Sequence, residues 1–375
     1  MSKTTIATGG IADDAVSTAK VLNDSRIVTP LIINGDMAVA QRATSATGLG
    51  ASSGYNTCDR WKLVVEGSPS ARFTQSQDTD VPTGQGFTTS LKMDCTTASG
   101  SPDADDALGV QTLLEAQNLQ LLRYGTSSAK KITLSFWVKA TKTGTNVVWI
   151  YQNDDSRSQA QTYTVNTTNT WEKKTVVFDA DTTGVIDNNN GEGFRITWWM
   201  TTGTNRTSGT LATTWESHSN ANVAVGQVNN ADNTSNNWYI TGVQLEVGEF
   251  DSDTIPPFPF ESFSNNLQRC QRYYQQYGAS GENLHLVGVQ NSTIAAARCG
   301  ATLIAPTRAN PSITTSGNLG LYNGVDVRSD APNSIRSSRF ALDMDVNWSS
   351  AMGAQGYAIL GYIGANCTIK VDSEL

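Results

Sequence analysis

The stretch KKITLSFWVKA, Lys130–Ala140, decides the fold. Ile132, Leu134, Phe136 and Val138 alternate with Thr133, Ser135, Trp137 and Lys139. A period of two puts one apolar row on a core and turns the other row away from it, which is a β-strand half-buried in a sheet. The same alternation recurs on both sides: DRWKLVVEG from Asp59, ARFTQSQ from Ala71, TTSLKMDCT from Thr88, NVVWIYQN from Asn146, QTYTVN from Gln161, WEKKTVVF from Trp171, FRITWWMT from Phe194 and WYITGVQLEVG from Trp238. Gly, Pro and Ser clusters bound each run. Strands recurring at short intervals with turns between them predict an antiparallel sandwich of jelly-roll type, mainly β, rather than βαβ units. GVQTLLEAQNLQLLRYG, from Gly109, fits a strand, a short helix, or both in sequence. Trp137, Trp198 and Trp199 cannot all point inward, because neighbouring positions alternate.

Composition agrees. Of 375 residues, 16% are charged, below the usual roughly 25%, and polarity comes instead from Thr, Ser, Asn, Gln and Gly. A formal charge of −8 argues against nucleic acid as a partner. The five cysteines are widely spread without a CxxC pair, so reduced, partly buried thiols are expected rather than a zinc site or a disulfide framework. No apolar run approaches the about 20 residues of a membrane span, and the opening MSKTTIATGG lacks the apolar core of a secretory signal. The reading is a protein made in a reducing cytoplasm.

Four segments are expected. Residues 1–30 carry a thin apolar stripe, with Ile11 and Leu22 in it, and read as an attachment or registry arm too small for its own core. Residues 31–250 hold the sandwich. Residues 251–280 form a linker and helix: Pro256, Pro257 and Pro259 end the last strand, and Phe258 and Phe260 pin the linker to a neighbouring surface. The helix is expected from Ser264 to Tyr277, capped by Ser264 or Asn265 and stopped at Gly278. Leu267, Cys270, Tyr273, Tyr274 and Tyr277 are its interface candidates, either within the chain or around a symmetry axis. Residues 281–375 return to short β-like runs, a smaller C-terminal sandwich domain.

No catalytic set stands out. Ser52 in GASSG matches the nucleophile-elbow pattern but sits in a Gly/Ser/Thr loop, without the strand and helix an elbow needs. No spacing singles out two of the glutamates as a glycosidase pair. Asp103, Asp105 and Asp106, and Asp179 with Asp181, read as solvated turns rather than a calcium loop. No metal, cofactor or enzymatic activity is expected. Trp215 in TTWESHSNAN and Tyr151 in WIYQNDD are the glycan-contact candidates, because a ring beside Asn, Gln or Asp can stack on a sugar while the polar groups orient its hydroxyls.

A family resemblance appears in the spaced motifs. Asn34, Gly35 and Asp36 with Gln41 and Arg42, followed by Asp59, Arg60 and Trp61, resemble the opening of a β-sandwich module of bacteriophage virion proteins, especially marine and cyanobacterial phages. ITLSFWVKA resembles its central strand, which is also similar to carbohydrate-binding jelly rolls. Val243, Gln244, Leu245, Glu246 and Gly248, then Cys270, Gln271, Arg272, Tyr273 and Tyr274, resemble its exit, and DSEL its end. The resemblance implies a virion structural protein, a tail fibre or other surface appendage, with a capsid decoration or cement protein as the alternative and a glycan depolymerase as the remote one. It implies a homotrimer, other virion proteins held through the arm, and host cell-surface polysaccharide as a further partner. It supplies no catalytic residues.

Overall fold

The computed structural model describes residues 29–278, 284–290, 296–322, 327–347, 358–363 and 368–375. Ile11 and Leu22 lie outside the described residues. The first thirteen strands are β1 Ser45–Leu49, β2 Gly54–Tyr55, β3 Lys62–Glu66, β4 Arg72–Asp78, β5 Ser90–Thr97, β6 Ala107–Glu115, β7 Ile132–Ala140, β8 Gly144–Gln152, β9 Arg157–Val165, β10 Glu172–Phe178, β11 Glu192–Thr202, β12 Glu216–Ser217 and β13 Asn237–Val247. They form two antiparallel sheets. One has six strands in the order β1-β4-β5-β13-β7-β10, the other seven in the order β12-β9-β8-β11-β6-β3-β2.

The core lies between these sheets and is made by the alternation seen in the sequence. Leu134, Phe136 and Val138 of β7 meet Trp61, Trp198 and Phe194 from the facing sheet, all buried. Trp198 packs edge-on against Phe136 at 5.6 Å and tilted against Trp61 at 5.6 Å. The Gly109–Gly125 stretch is both elements in sequence: β6 runs into a 3₁₀ helix over Ala116–Leu122. The adjacent tryptophans of β11 split as alternation requires. Trp198 faces inward, and Trp199 faces outward beneath Leu211, Val223 and Ala224 of the 203–231 crossing segment.

The joint differs from expectation. Helix α1 covers only Phe263–Gln271, with Ser262 as its cap, the Ser262 side chain accepting from the Asn265 N–H at 3.3 Å. Tyr274–Gly278, expected as the last helical turn, is strand β14. Its ladder partner, Thr368–Asp372, lies about ninety residues downstream in sequence, pairing Tyr274 with Asp372 and Gly278 with Thr368. Local three- and four-residue spacing cannot register such a partner, and tyrosine fits a strand as readily as a helix. Upstream, Phe258 and Phe260 do pin the linker, each 5.1 Å from the Phe87 ring.

The second domain continues with β15 Leu284–Gln290, β16 Ala296–Thr302, β17 Ser312–Ser316, β18 Leu319–Tyr322, β19 Val327–Asp330, β20 Pro332–Ser337, β21 Ala341–Asn347, β22 Ala358–Ile363 and β23 Thr368–Asp372. A three-stranded sheet, β14-β23-β17, faces a seven-stranded one, β19-β18-β22-β15-β16-β21-β20. Tyr277, Cys299, Met344, Ile369 and Val371 are buried in its smaller core. The architecture is thus mainly antiparallel β, two sandwich-like domains joined by one short helix.

Candidate functional site

The motif residues that carried the family resemblance converge on the joint between the two domains. Asn34, in a left-handed conformation at φ 57°, donates through Nδ2 to the carbonyls of Val39 and Asp59, both at 2.9 Å. Its own carbonyl accepts the Trp61 indole N–H at 2.9 Å. Gly35 accepts from the Val243 N–H at 2.9 Å, and a Cβ there would collide with the Val243 carbonyl oxygen. Gln41 donates from its backbone to Asp59 at 3.0 Å, and its side-chain amide donates both to Asp59 and to the Tyr274 carbonyl. Arg60, 1% exposed, lies over the Tyr273 ring at 3.5 Å, pairs with Glu374 and donates to the Leu113 carbonyl. Arg42 covers the Tyr274 ring at 3.6 Å and reaches Asp372 and Glu374 at 3.2 and 3.3 Å. Arg272 grips Glu115 with two bonds of 2.7 and 2.8 Å, and Tyr273 donates to the same carboxylate at 2.6 Å.

These groups are spent on one another. Burial pushes the Asp59 carboxyl up to about 6, against the lowering effect of Gln41 and Arg42. Burial opposes ionisation of Glu115 as well, but the bonds from Arg272 and Tyr273 hold it below its ordinary range. The joint is therefore a clasp, in which the residues before β1, the Asp59–Trp61 turn and Glu115 at the end of β6 meet the helix exit and residues 372–374. Cys270, Tyr273, Tyr274 and Tyr277 are buried within the protomer, at 0, 1, 2 and 6% exposure. They pack within one protomer, at and beside the joint between its domains. Leu267 is half-buried.

The outer face of the seven-stranded sheet carries a different arrangement. Alternation along β8 sends Val148 and Ile150 into the core and Trp149 and Tyr151 outward. On β11 it sends Arg195 and Trp199 outward, and Arg195 pairs across the ladder with Tyr151. These side chains, with Glu66, Arg206, His218 and Asn220, line a cleft of about 210 Å³. Trp149 lies 5.5 Å from Tyr151 and 5.8 Å from Trp199, in tilted contacts. His218 closes one side at 5.1 Å from Tyr151, edge-on, and the Arg195 guanidinium lies over the Tyr151 ring at 4.9 Å.

The polar groups there are mostly anchored. Arg206 pairs with Glu66, and Arg195 with Glu192 at 2.6 Å. His218 sits between the Ser158 hydroxyl at 3.2 Å and the Asn220 side-chain oxygen at 2.9 Å. Burial, aided by Arg195 and Arg206, holds its pKa below the ordinary value, so the ring is neutral at pH 7. Ser158 is fully buried, so its hydroxyl cannot reach a substrate, and among the described residues Glu66 is the only carboxylate lining the cleft. The buried indole N–H groups of Trp149 and Trp199 have no hydrogen-bond partner. Trp149 and Trp199 are only 5 and 2% exposed, so they back the cleft rather than line its surface, and what it offers a ligand is the half-buried Tyr151 ring with the Arg195, His218 and Asn220 side chains at its rim.

Tyr151 stands in this cleft, half-buried, with its hydroxyl donating to Ser156 at 3.1 Å. Trp215 does not line it. That ring stacks on Phe194 at 5.9 Å and 23°, meets Tyr124 edge-on at 5.6 Å, and donates to the Asp179 carbonyl at 2.7 Å. The two expected glycan contacts are not brought together. Trp149, Trp199, Arg195 and His218 were not singled out as contacts, although Trp149 precedes Tyr151 by two residues and must share its face. Ser52 is exposed in the turn between β1 and β2. Among the described residues no group of three or more His, Cys, Asp or Glu is placed to hold a metal ion. Asp106 instead accepts from the Ser68 and Asp103 N–H groups, and Asp181 pairs with Arg157. Among the described residues no helix is long and apolar enough to cross a membrane.

No family model matches the sequence, and no curated protein matches it. Solved structures similar to the chain include the enzymatically active domain of tailspike protein 4 of bacteriophage CBA120, at 14% identity and a TM-score of 0.29, over 58% of this chain and 21% of that one. The match thus takes in about a fifth of that domain. A family 11 carbohydrate-binding module of the cellulase Lic26A-Cel5E of Clostridium thermocellum is similar at 10% identity and a TM-score of 0.28, over 55% of this chain and 98% of the module. TmCBM61 in complex with β-1,4-galactotriose is similar at 9% identity and a TM-score of 0.27, over 59% of this chain and 99% of that one. Similarities at this level assign neither ligand nor activity.

Proposed function

We propose that this chain is a structural protein of a phage particle, a tail fibre or other surface appendage, which contacts a host surface glycan without cleaving it. The observation that carries the glycan reading is the cleft around Tyr151, where a half-buried ring backed by Trp149 and Trp199 stands beside Arg195, His218 and Asn220 on one sheet face. A sugar ring presents an apolar C–H face for stacking on Tyr151 and hydroxyls for the polar side chains at the rim. The non-catalytic reading is supported by the single carboxylate that lines that cleft among the described residues, since glycosidases act through a pair. The particle reading is supported by the spaced motifs, whose residues meet in the clasp between the two domains.

The self-partner is a trimer in this reading, with other particle proteins held through residues 1–30. Light scattering on the purified chain should give about three times 40.2 kDa, and a monomer at micromolar concentration, in solution and on the particle, would contradict the trimer. For the glycan, host surface polysaccharide should bind the purified protein and keep its length. Tyr151→Ala should weaken that binding about tenfold or more, as loss of an aromatic anchor does. Binding untouched by Tyr151→Ala, or shortening of the polysaccharide, would overturn the reading.

A further inference from the structure

The outer face of the other, six-stranded sheet carries a second constellation. Three side chains form one rank across it, because Ser135 of β7 lies opposite Thr175 of β10 and opposite Gln244 of β13. The Ser135 Oγ, Thr175 Oγ1 and Gln244 Oε1 atoms are all buried without a hydrogen-bond partner. Ser135 and Gln244 are only 1 and 3% exposed. Buried polar atoms are almost always paired, so three orphans in one rank mark a place where something polar belongs.

The next rank places Trp137 opposite Lys173. Trp137 is half-buried and Lys173 exposed. Trp137, Lys173, Ser135 and Gln244 line a pocket of about 260 Å³ with Phe258 and Phe260. The pocket is slightly below the roughly 300–1,000 Å³ of drug-sized sites, a size suited to one sugar ring. Desolvation lowers the Lys173 pKa, and among the described residues its ammonium has no ion-pair partner within 4.0 Å. The face continues beyond the pocket in the same chemistry. Lys139 lies 4.2 Å from the Tyr239 ring and pairs with Asp80, Lys92 lies 5.5 Å from the same ring, and Trp171 lies 6.0 Å from it. Lysines and aromatic rings thus share this sheet face with the Asp80 carboxylate, which also accepts from the Trp171 indole at 2.9 Å.

We propose that this face is a second binding site, for a sugar chain bearing carboxylates, with one uronate ring seated on Trp137. The ring's apolar face lies on the indole, its hydroxyls take the orphaned Ser135 and Gln244 oxygens, and its carboxylate meets the Lys173 ammonium. Lys92 adds positive charge further along the face, where Lys139 is already paired with Asp80. The inference stands apart from the Tyr151 cleft, which is on the other sheet, and either can fail without the other.

The test is calorimetric titration of the full chain with tetrasaccharides of galacturonate, of mannuronate and of neutral glucose. At least one uronate should bind, and more weakly as salt rises from 50 to 500 mM, roughly through the Debye range over which exposed charges are screened. Trp137→Ala should weaken it about tenfold or more. Lys173→Gln, a change at an exposed position that leaves the core alone, should remove the preference over the neutral sugar. Failure of both uronates to bind at millimolar concentration, equal binding of the neutral tetrasaccharide, or a preference that survives Lys173→Gln would each overturn the proposal.

Discussion

Glu374 is the residue whose removal tests the clasp most severely. Its carboxylate is 5% exposed, pairs with Arg60, which is 1% exposed, and reaches Arg42 at 3.3 Å. In Glu374→Ala, Arg60 keeps the Leu113 carbonyl and the Tyr273 ring but loses its counter-charge. Removing one partner of a buried ion pair costs about 3–5 kcal/mol, because the other charge stays desolvated and unpaired. A domain of this size shifts its melting temperature by about 2–4 °C per kcal/mol, so a fall of roughly 6–20 °C is expected. Urea unfolding followed by tryptophan fluorescence reads the loss directly, since Trp61 adjoins Arg60 in sequence. The double variant Arg60→Met with Glu374→Leu should recover much of the loss, because a well-packed apolar pair replaces a buried ion pair at little or no cost. A loss below about 1 kcal/mol for Glu374→Ala would place the pair in the class of exposed salt bridges and refute the clasp.

Two further outcomes follow from the same joint. Asp59 has a folded pKa of about 6, raised from 3.8, so between these values the folded state binds a proton that the unfolded chain releases. Its contribution therefore favours the folded state below about pH 4 and is lost as pH rises through 6, by roughly 3 kcal/mol. The stability of the wild type relative to Asp59→Asn, from urea titrations at pH 4, 5, 6 and 7, should fall across that window, and a flat or rising difference would contradict it. Gly35→Ala would drive a methyl into the Val243 carbonyl, so the variant should unfold at markedly lower urea, while Gly226→Ala, whose added carbon meets nothing within 4 Å, should cost only the strain of its positive φ.

Much of the fold was legible because alternation is local. Ile132 to Val138 on one strand and Trp198 beside Trp199 on another fix which face each residue takes, before any partner strand is known. The joint was less legible. The spacing of Cys270, Tyr274 and Tyr277 suits a helix, but the backbone of Tyr274 onward is paired by β23, a contact between distant segments. Trp215 illustrates the same limit at the site. Its polar neighbours in sequence suggested exposure, and its neighbours in space, Phe194 and Tyr124, determine its packing. The rank of Ser135, Thr175 and Gln244 could not have been found without the ladder register, since the three belong to strands far apart in the chain.

The most direct test of the account is mass spectrometry of particles purified from a host that produces the chain, with antibody labelling of those particles in electron micrographs. The account predicts the 40.2 kDa chain in several copies per particle, labelled on a tail or surface appendage. Absence of the chain from intact particles would contradict it.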